Sequence, residues 1–383
     1  MFVSYIINLN SNEKSGLYKA VFDRIDRTIR HNVFNLNYYD SFFIVFLKKI
    51  LRIKIIKNEP LANDLGIEVI NINIKITLYN YLARYFNFSS TSDEKIANAL
   101  YSMIKMDMPD VIVAHGGGVQ TNVASLLSAK YNIPQVNVFH GSDIHSHPHT
   151  NLRYKQRLQN DMKHANMNVF VSNALLNHSK KIYKGDNVVV IRNGISLTKS
   201  NEDYGLPSSK MLYKIAYIGN LYSVKGVDRL PEIAKVVKSK IDASFYIIGN
   251  GTLMDFLRVN MPDDTVFTGA IDNRYIMSIL KQVDLIVLPS RNEGLPLILC
   301  EALSVGTKIV STDVGGIPEL IESEFLVNAE SLNLVEDFAL KIISSLKKPI
   351  IPVSKYDTSI EITQRSEREM LMDICRSNSE LIN

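Results

Sequence analysis

The feature that most constrains the fold is the alternation of short β-branched runs with longer amphipathic segments. In the first half these runs are Val111–His115, Gln135–Phe139, 168–172 and 187–191. In the second half they are KIAYIG, ASFYIIG, DLIVLP and TKIVS. Strands that alternate with helices form parallel sheets covered on both faces, where near-continuous apolar runs are expected. The sequence therefore predicts an α/β protein.

The chain length and one polar segment predict two domains. A chain of 383 residues has ample length for two cores. Residues 197–210, LTKSNEDYGLPSSK, are polar, lack periodicity and contain Gly205 and Pro207, which is typical of a linker. We predict Rossmann-like domains at 1–196 and 211–358, with ligands bound between them at the carboxyl ends of the strands.

The bulk composition excludes several classes of protein. A net charge of +4 is too small to indicate nucleic-acid binding. The two cysteines, Cys300 and Cys375, have no C-x-x-C spacing, which favours a reducing compartment without disulfides. The N-terminus lacks the basic region of a signal peptide, and no apolar run approaches the ~18–20 residues of a membrane-spanning helix. We expect a cytoplasmic protein that does not cross the membrane.

The stretch SRNEGLPLILCE, 290–301, places two glutamates around a predicted helix start. Pro296 suits the first turn and Gly306 the position just past the helix end, and free N–H groups at a helix start bind anions. Glu301 is a charge within an apolar run and must find hydrogen-bond donors, for which sugar hydroxyls are suitable. Two interpretations stay open: a sugar-phosphate site, or Glu301 paired with a core lysine or arginine and Glu293 solvated in a loop.

Other strand ends carry glycines and a cation typical of a phosphate site. Gly219 ends one apolar run, and Lys225 and Gly226 follow at the next helix start. A compact ammonium there would meet phosphate, although the segment has neither a Walker motif nor G-x-G-x-x-G. Gly249 and Gly251 follow another predicted strand and would let the backbone approach a ligand.

Two predicted strands of the first half end in His-Gly, and the second of them opens a histidine cluster. The cluster contains His140, His145, His147 and His149, with Asp143 as the close acid. Its spacing matches no zinc pattern and no cysteine is near. We therefore favour His140 as a hydrogen-bonding residue of the cleft over a metal site, and expect the other three histidines on the loop surface.

From about residue 109 to 321 the sequence resembles the retaining glycosyltransferases of family 4, which have the GT-B fold. Glu293 and Glu301 match the two glutamates of that family's E-x7-E motif, and VFHGSDI, VIRNGI and FTGAI match three further segments. The resemblance implies an N-terminal acceptor domain and a C-terminal nucleotide-sugar domain facing a central cleft. It also implies that a last helix, about 359–383, crosses back to the N-terminal domain.

The resemblance implies roles for individual residues. In the family, the residue matching Glu301 holds the ribose hydroxyls and the one matching Glu293 contacts the donor sugar. Lys225 matches the lysine on the diphosphate and His140 the histidine near the sugar ring, so Glu293, Lys225 and His140 are the candidate catalytic residues. The other candidate donor-binding residues, besides Glu301, are Gly16, Asn220, Gly249, Gly269, Gly294 and Leu295. The family needs no bound metal, and the nucleotide-sugar is a substrate, so no cofactor is implied.

The sequence departs from the family pattern at two places. Asn220 stands where the family often has arginine, which removes a cation from the diphosphate site. Arg192 or Arg291 could substitute for it. The loop that ends at Gly16 lacks the family's usual Gly-Gly pair.

The implied reaction moves a sugar from a nucleotide-sugar, a UDP-sugar rather than GDP-mannose, to a hydroxyl of a glycan or lipid-linked acceptor. The composition suggests bacterial surface-polysaccharide synthesis. The chain has no Asp-x-Asp pair, so Lys225 and helix N-termini must stabilise the leaving diphosphate. We favour retention by same-face attack over a double displacement with Glu293 as nucleophile. A nucleotide-sugar epimerase and a catalytically silent partner protein stay open as alternatives.

The segment 42–57, FFIVFLKKILRIKIIK, interleaves large apolar residues with five cations and contains no acid. On a helix, Phe43 and Phe46 share one face while Lys48 and Arg52 lie on another. Such a helix binds an anionic membrane interface, so we expect a peripheral location on the inner face of the cell membrane. The strand-like alternation in RIKIIK leaves packing on the N-terminal sheet as the alternative.

Overall fold

The computed structural model describes residues 1–9, 16–50, 56–57, 60–61, 66–77, 90–196, 204–208, 211–349 and 352–382. In these residues the chain forms two parallel sheets, one of seven strands and one of six. The predicted linker lies between the two sheets, and only 204–208 of it fall within the described residues. Nowhere in this part of the chain does a helix combine the length and apolarity needed to span a bilayer.

The first sheet holds strands from the N-terminal half. The strands are β1 (Phe2–Ile7), β2 (Arg30–Asp40), β3 (Val69–Ile76), β4 (Val111–His115), β5 (Gln135–Phe139), β6 (Met167–Phe170) and β7 (Val188–Val190). The helices are α1 (Gly16–Arg24), α2 (Phe42–Ile50), α3 (Ser90–Ile104), α4 (Val119–Tyr131), α5 (Ser142–His145), α6 (His147–Thr150), α7 (Leu152–His164) and α8 (Asn173–Ser179). The strand order is β3-β2-β1-β4-β5-β6-β7, all parallel.

The second sheet holds strands from the C-terminal half. The strands are β8 (Tyr213–Ile218), β9 (Ala243–Ile248), β10 (Val266–Gly269), β11 (Leu285–Leu288), β12 (Lys308–Thr312) and β13 (Leu326–Val327), in the order β10-β9-β8-β11-β12-β13. The helices are α9 (Leu230–Lys238), α10 (Met254–Asn260), α11 (Ile276–Leu280), α12 (Leu297–Val305), α13 (Ile317–Leu320), α14 (Leu334–Lys347) and α15 (Ile360–Ile382). Short 3-10 turns cover Ser223–Lys225, Val227–Arg229, Asn273–Tyr275 and Ser323–Phe325.

The predicted strands all form, with ends that differ by at most two residues. The strand predicted as buried over 187–191 is only half-buried, because β7 lies at the edge of the sheet. Along β1, Val3 and Ile7 pack in one core cluster and Ile6 packs in another. Side chains alternate between the two faces of a strand, so both faces of the first sheet are covered. Both faces being covered explains why its central strands read as continuous apolar runs in the sequence.

The last helix joins the two halves of the chain. From the end of the second domain, α15 returns to the first, where Glu367 accepts a hydrogen bond from Arg24 Nε at 2.8 Å. The next residue, Arg368, donates a hydrogen bond from Nε to Asp26 at 2.7 Å. Arg24 is 1% exposed, so its ion pair with Glu367 is buried. Removal of either partner would leave an uncompensated charge in the core. The return of α15 agrees with the helix expected over 359–383.

The orientation of α2 corrects the predicted face of the basic segment. Lys48 is buried and its Nζ lies 2.9 and 3.0 Å from the carboxylate oxygens of Asp40, so it does not belong to a solvent-facing basic stripe. Ile44 is buried beside it, whereas Phe42, Phe43 and Phe46 are exposed. Residues 51–55, with the strand-like part of the segment, lie outside the described residues.

Candidate active site

A cavity of about 1060 Å³ lies between the carboxyl ends of the two sheets. It is lined by nine of the ten predicted site residues, which are Gly16, His140, Asn220, Lys225, Gly249, Glu293, Gly294, Leu295 and Glu301. The tenth, Gly269, does not line the cavity but accepts a hydrogen bond from Gly249 N at 2.8 Å, and Ala270 beside it does line the cavity. The sequence-predicted residues of both halves therefore meet in one cleft.

Lys225 and Glu293 form an ion pair in the wall of this cavity. Lys225 Nζ lies 2.8 and 2.7 Å from the two carboxylate oxygens of Glu293, and Ser290 Oγ donates a further hydrogen bond at 2.8 Å. Glu293 is 6% exposed, so the alternative interpretation, a solvated loop glutamate, is wrong. Its carboxylate accepts three hydrogen bonds from these two groups, Lys225 and Ser290, and therefore has a fixed orientation.

Glu301 lies on α12, the helix that follows this loop, and pairs with a lysine from the other domain. Its carboxylate accepts a hydrogen bond from Lys19 Nζ, which reaches across from α1. Asp23, one turn further along α1, has a pKa raised to about 6, mainly by burial. Pro296 immediately precedes α12 rather than opening its first turn, and Gly306 ends the helix in the left-handed conformation, as predicted.

Lys19 is a cavity residue that was not predicted from the sequence. A usable signal was present, because Lys19 lies three positions after the candidate donor-binding residue Gly16, in a helix whose neighbouring residues Tyr18 and Ala20 are apolar and buried. The pairing of Glu301 with a basic side chain was one of the two interpretations left open. The contact across two domains could not be read from residues 282 positions apart in sequence.

Two stacked histidines occupy the opposite wall of the cavity. His140 Nε2 lies 3.2 Å from His115 Nδ1, and the ring centroids are 5.4 Å apart. Burial, with the charge of Arg24 as a second cause, lowers the pKa of His140 to about 3, and burial lowers the pKa of His115 well below its usual value. Both imidazoles are therefore neutral near pH 7. His115 is a further cavity residue that the sequence signalled, since it ends a predicted strand before glycines.

A second group of histidines lies beside this wall. His149 Nε2 lies 2.9 Å from His178 Nε2, and the His145 ring packs edge-on against His178. His147 and His149 are exposed as predicted, but all three predicted loop histidines lie in the short helices α5 and α6. His145 is only partly exposed, and both His145 and His147 line the cavity. Within the described ranges, no group of three or more His, Cys, Asp or Glu side chains has the geometry to hold a metal ion.

The arginines expected to replace the missing cation near Asn220 lie elsewhere. Arg192 pairs with Glu319 at 2.9 Å and packs over the Tyr356 ring. Arg291 pairs with Asp228 at 2.7 Å. Neither arginine lines the cavity. Among the described residues, the lysines that line the cavity are Lys19 and Lys225.

Gly294 brings the backbones of the two domains into contact at the cavity. A Cβ at this position would lie 2.0 Å from the carbonyl oxygen of His140 and 3.3 Å from the Val171 side chain. A real Cβ cannot approach a backbone oxygen so closely. The absence of a side chain at Gly294 therefore sets how near the loop of Glu293 comes to His140.

Comparison with known proteins agrees with this architecture. Residues 74–199 match the family model described as Glycosyltransferase Family 4, and residues 213–348 match that described as Glycosyl transferases group 1. Together the two matches cover more than half of the chain. HepE from Anabaena, solved in complex with UDP, superposes with a TM-score of 0.61 at 15% identity, over 100% of this chain and 99% of that one. At this identity the likeness concerns the fold, which is GT-B.

Two curated relatives match a smaller part of the chain. The putative teichuronic acid biosynthesis glycosyltransferase TuaC of Bacillus subtilis is 30% identical over 59% of this chain and 59% of its own length. The N-acetyl-alpha-D-glucosaminyl L-malate synthase of Bacillus anthracis is 29% identical over 40% of this chain and 42% of its own. The chain thus matches less than two thirds of the length of these relatives. With its two family matches and its GT-B fold, the chain belongs to the family 4 and group 1 glycosyltransferases.

Proposed function

We propose that this protein transfers a sugar, with retention at the anomeric carbon, from a nucleotide-sugar to a hydroxyl of a glycan or lipid-linked acceptor. The observation that carries the proposal is the meeting of Lys225, Glu293 and Glu301 with a neutral His140 in one interdomain cleft. A UDP-sugar is the favoured donor over GDP-mannose, and bacterial surface-polysaccharide synthesis is the proposed setting. The UDP complex of HepE supports the choice of donor, and the name of TuaC, a putative teichuronic acid biosynthesis glycosyltransferase, supports the choice of setting.

The cleft offers a separate group to each part of the donor. Glu301 accepts hydrogen bonds from the ribose hydroxyls, for which a buried carboxylate is a strong acceptor. Lys225 and the N–H groups at the start of α12 face the diphosphate, because a helix N-terminus and an ammonium both favour negative charge. His140 and Glu293 hydrogen-bond the sugar ring. Asn220 lies beside the diphosphate but brings no charge, so Lys225 carries more of the electrostatic stabilisation.

The chemical step breaks the bond between the anomeric carbon and the diphosphate oxygen. The acceptor oxygen bonds to the same face of that carbon, and its proton passes to the departing phosphate oxygen. Lys225 stabilises the charge that develops on the leaving group, a term that is usually large. Glu293 is poorly placed as a nucleophile, because Lys225 and Ser290 already bind its carboxylate. No metal is required in this scheme.

Two other functions predict different products from the same donor. A nucleotide-sugar epimerase converts the donor to a new nucleotide-sugar, and a catalytically silent partner protein leaves it unchanged. Incubation with a panel of UDP- and GDP-sugars, followed by chromatography, separates the three. We expect slow release of free sugar and nucleoside diphosphate from one or a few donors. A new nucleotide-sugar, or no change with any donor, contradicts the transferase.

An anionic membrane surface is the proposed site of acceptor delivery. Phe42, Phe43 and Phe46 are exposed on α2 beside the exposed Lys49. Three neighbouring exposed phenylalanines suit the acyl boundary of a bilayer, and a flanking lysine suits its anionic headgroups. We therefore place the protein at the inner face of the cell membrane.

A liposome sedimentation assay tests this membrane proposal. A Phe42→Ser/Phe43→Ser/Phe46→Ser variant should lose most of its pelleting with anionic vesicles, and wild-type pelleting should fall with salt. The matched control is Phe256→Ser, which removes an exposed phenylalanine from the other domain. Equal pelleting of the triple variant and wild type would reject α2 as the membrane contact.

A further inference from the structure

We propose that Lys19 is a positioning residue of the nucleotide site, supplied by the N-terminal domain, which orients the Glu301 carboxylate for the ribose hydroxyls. This inference rests on the proposed function, in which Glu301 binds the ribose. It adds a charged residue of the N-terminal domain to the part of the site that binds the ribose, for which the sequence motifs name Glu301 of the C-terminal domain.

The geometry that supports this role is a buried ion pair across the cleft. Lys19 lies on α1 and Glu301 on α12, and their side chains are 17% and 7% exposed. Both residues line the same cavity. Burial of this ion pair costs desolvation free energy. The attraction between the two charges offsets that cost only if the remaining lone pairs and N–H groups also form hydrogen bonds. A ligand that donates hydroxyls to Glu301 uses those lone pairs.

The chemistry of the pair suits a diol. An ionised carboxylate has about four lone-pair positions on two oxygens. Lys19 occupies one position on Oε1 and fixes the plane of the group, which leaves the other positions for two neighbouring hydroxyls. A carboxylate that is pre-oriented loses less entropy when it binds the ribose. The ammonium also compensates the charge of Glu301, which would otherwise be buried close to the Asp23 carboxyl and the ligand's diphosphate.

A purely structural role makes a different prediction. If the pair only holds the two domains together, removal of Lys19 weakens every cleft ligand by the same factor. If Lys19 acts through Glu301 on the ribose, the loss depends on the 2′-hydroxyl. A nucleotide with the hydroxyl and a matched one without it therefore distinguish the two roles.

The experiment is a calorimetric titration of UDP and 2′-deoxy-UDP, with GDP and 2′-deoxy-GDP as the second pair. We expect wild type to prefer the ribonucleotide by about tenfold, the order of one hydrogen bond to a charged group. Lys19→Met should reduce this preference to about threefold or less, chiefly by weakening the ribonucleotide. Lys19→Arg should restore most of it. The matched control, Lys130→Met, removes an exposed lysine of the same domain and should behave as wild type.

Glu301→Gln provides the second arm of the test. It should lose the preference as well, and Lys19→Met/Glu301→Gln should lose no more than Glu301→Gln alone, because both changes act on one interaction. If circular dichroism shows that Lys19→Met does not fold, the titrations of Glu301→Gln and Lys19→Arg test the role of Lys19 instead. Equal weakening of both nucleotides, or an unchanged preference, overturns the role of Lys19 and leaves the proposed function intact. Failure of wild type to bind any of the four nucleotides overturns the proposed function itself.

Discussion

The cleft has one wall from the C-terminal domain and one from the N-terminal domain, and the polar groups of the two walls differ in whether they have partners. In the C-terminal wall, each charged group is paired: Glu293 with Lys225, and Glu301 with Lys19. In the N-terminal wall, three buried imidazole nitrogens have no hydrogen-bond partner among the described residues. These nitrogens belong to His115, His140 and His145.

This difference indicates what each wall contributes. Paired charges in a buried site form a preorganised electrostatic environment, which suits a ligand that carries or develops charge. Neutral imidazoles with an unused nitrogen can donate or accept one hydrogen bond, which suits hydroxyl groups. The proposed donor diphosphate thus belongs to the C-terminal wall, and the sugar and acceptor hydroxyls belong to the N-terminal wall.

The largest expected effect comes from the charge of the C-terminal wall. Lys225→Ala should lower turnover at saturating donor by roughly 10²–10³-fold, the range found when one preorganised donor to a developing anion is removed. Steady-state kinetics with the best donor of the panel measures it. Lys238→Ala, which breaks an ion pair with Asp264 outside the cavity, is the control and should stay near wild type. A fully active Lys225→Ala variant would remove Lys225 from the mechanism.

The distance between the walls should matter almost as much. Gly294→Ala places a methyl group against the His140 carbonyl and must push the two walls apart. A displacement of about 1 Å can cost on the order of 100-fold in rate, so we expect a loss of that order in kcat/KM. Gly205→Ala is the matched control, because a Cβ there meets nothing within 4 Å. Equal activities of the two variants would show that close approach of the walls is not needed.

The neutral state of the N-terminal wall predicts a pH effect on stability. His140 binds a proton at about pH 3 in the native state but near 6.5 when unfolded, so acid favours the unfolded state between those values. From pH 7 to pH 5 this lowers the free energy of unfolding by about 2 kcal/mol. His140→Phe lacks the effect, so its stability relative to wild type should rise by about that amount at pH 5. Urea unfolding measures the free energy of unfolding of both proteins at pH 7 and pH 5. The same difference between variant and wild type at both pH values would contradict a neutral, buried His140.

The smallest expected effect is that of a chelator. Because Lys225 supplies the positive charge in the proposed scheme, EDTA should leave the rate of the wild-type enzyme unchanged. The measurement is the donor turnover rate before and after dialysis against EDTA. Strong inhibition that Mg²⁺ or Mn²⁺ reverses would assign the leaving diphosphate to a metal instead.

The C-terminal wall could be predicted from the sequence because its residues follow strands within short, apolar motifs. Glu293 and Glu301 are eight positions apart, and the strand and helix around them fix where both side chains lie. The same local logic predicted the buried strands of both sheets. A residue that directly follows a parallel strand can be recognised from its neighbours in the sequence. In this fold such residues lie at the carboxyl ends of the strands, which is where the cleft is.

The parts that escaped prediction depend on contacts between distant residues. Strands β2 and β3 carry asparagines that pair across the sheet, Asn35 with Asn71 at 3.1 Å and Asn37 with Asn73 at 2.8 Å, so they lack the apolar pattern of the central strands. Lys48 appeared to be a surface cation until its partner Asp40 was placed beside it. Such pairings become visible only when the register and the packing are known.

The measurement that tests the account most directly is calorimetric titration of the free nucleoside diphosphate into wild type and Glu301→Ala. We predict that wild type binds the diphosphate of its donor. The variant, still folded by circular dichroism, should lose about 1–3 kcal/mol of binding free energy, because the buried hydroxyls lose their acceptor. Unchanged affinity in a folded Glu301→Ala protein would contradict the assignment of this cleft as the nucleotide site.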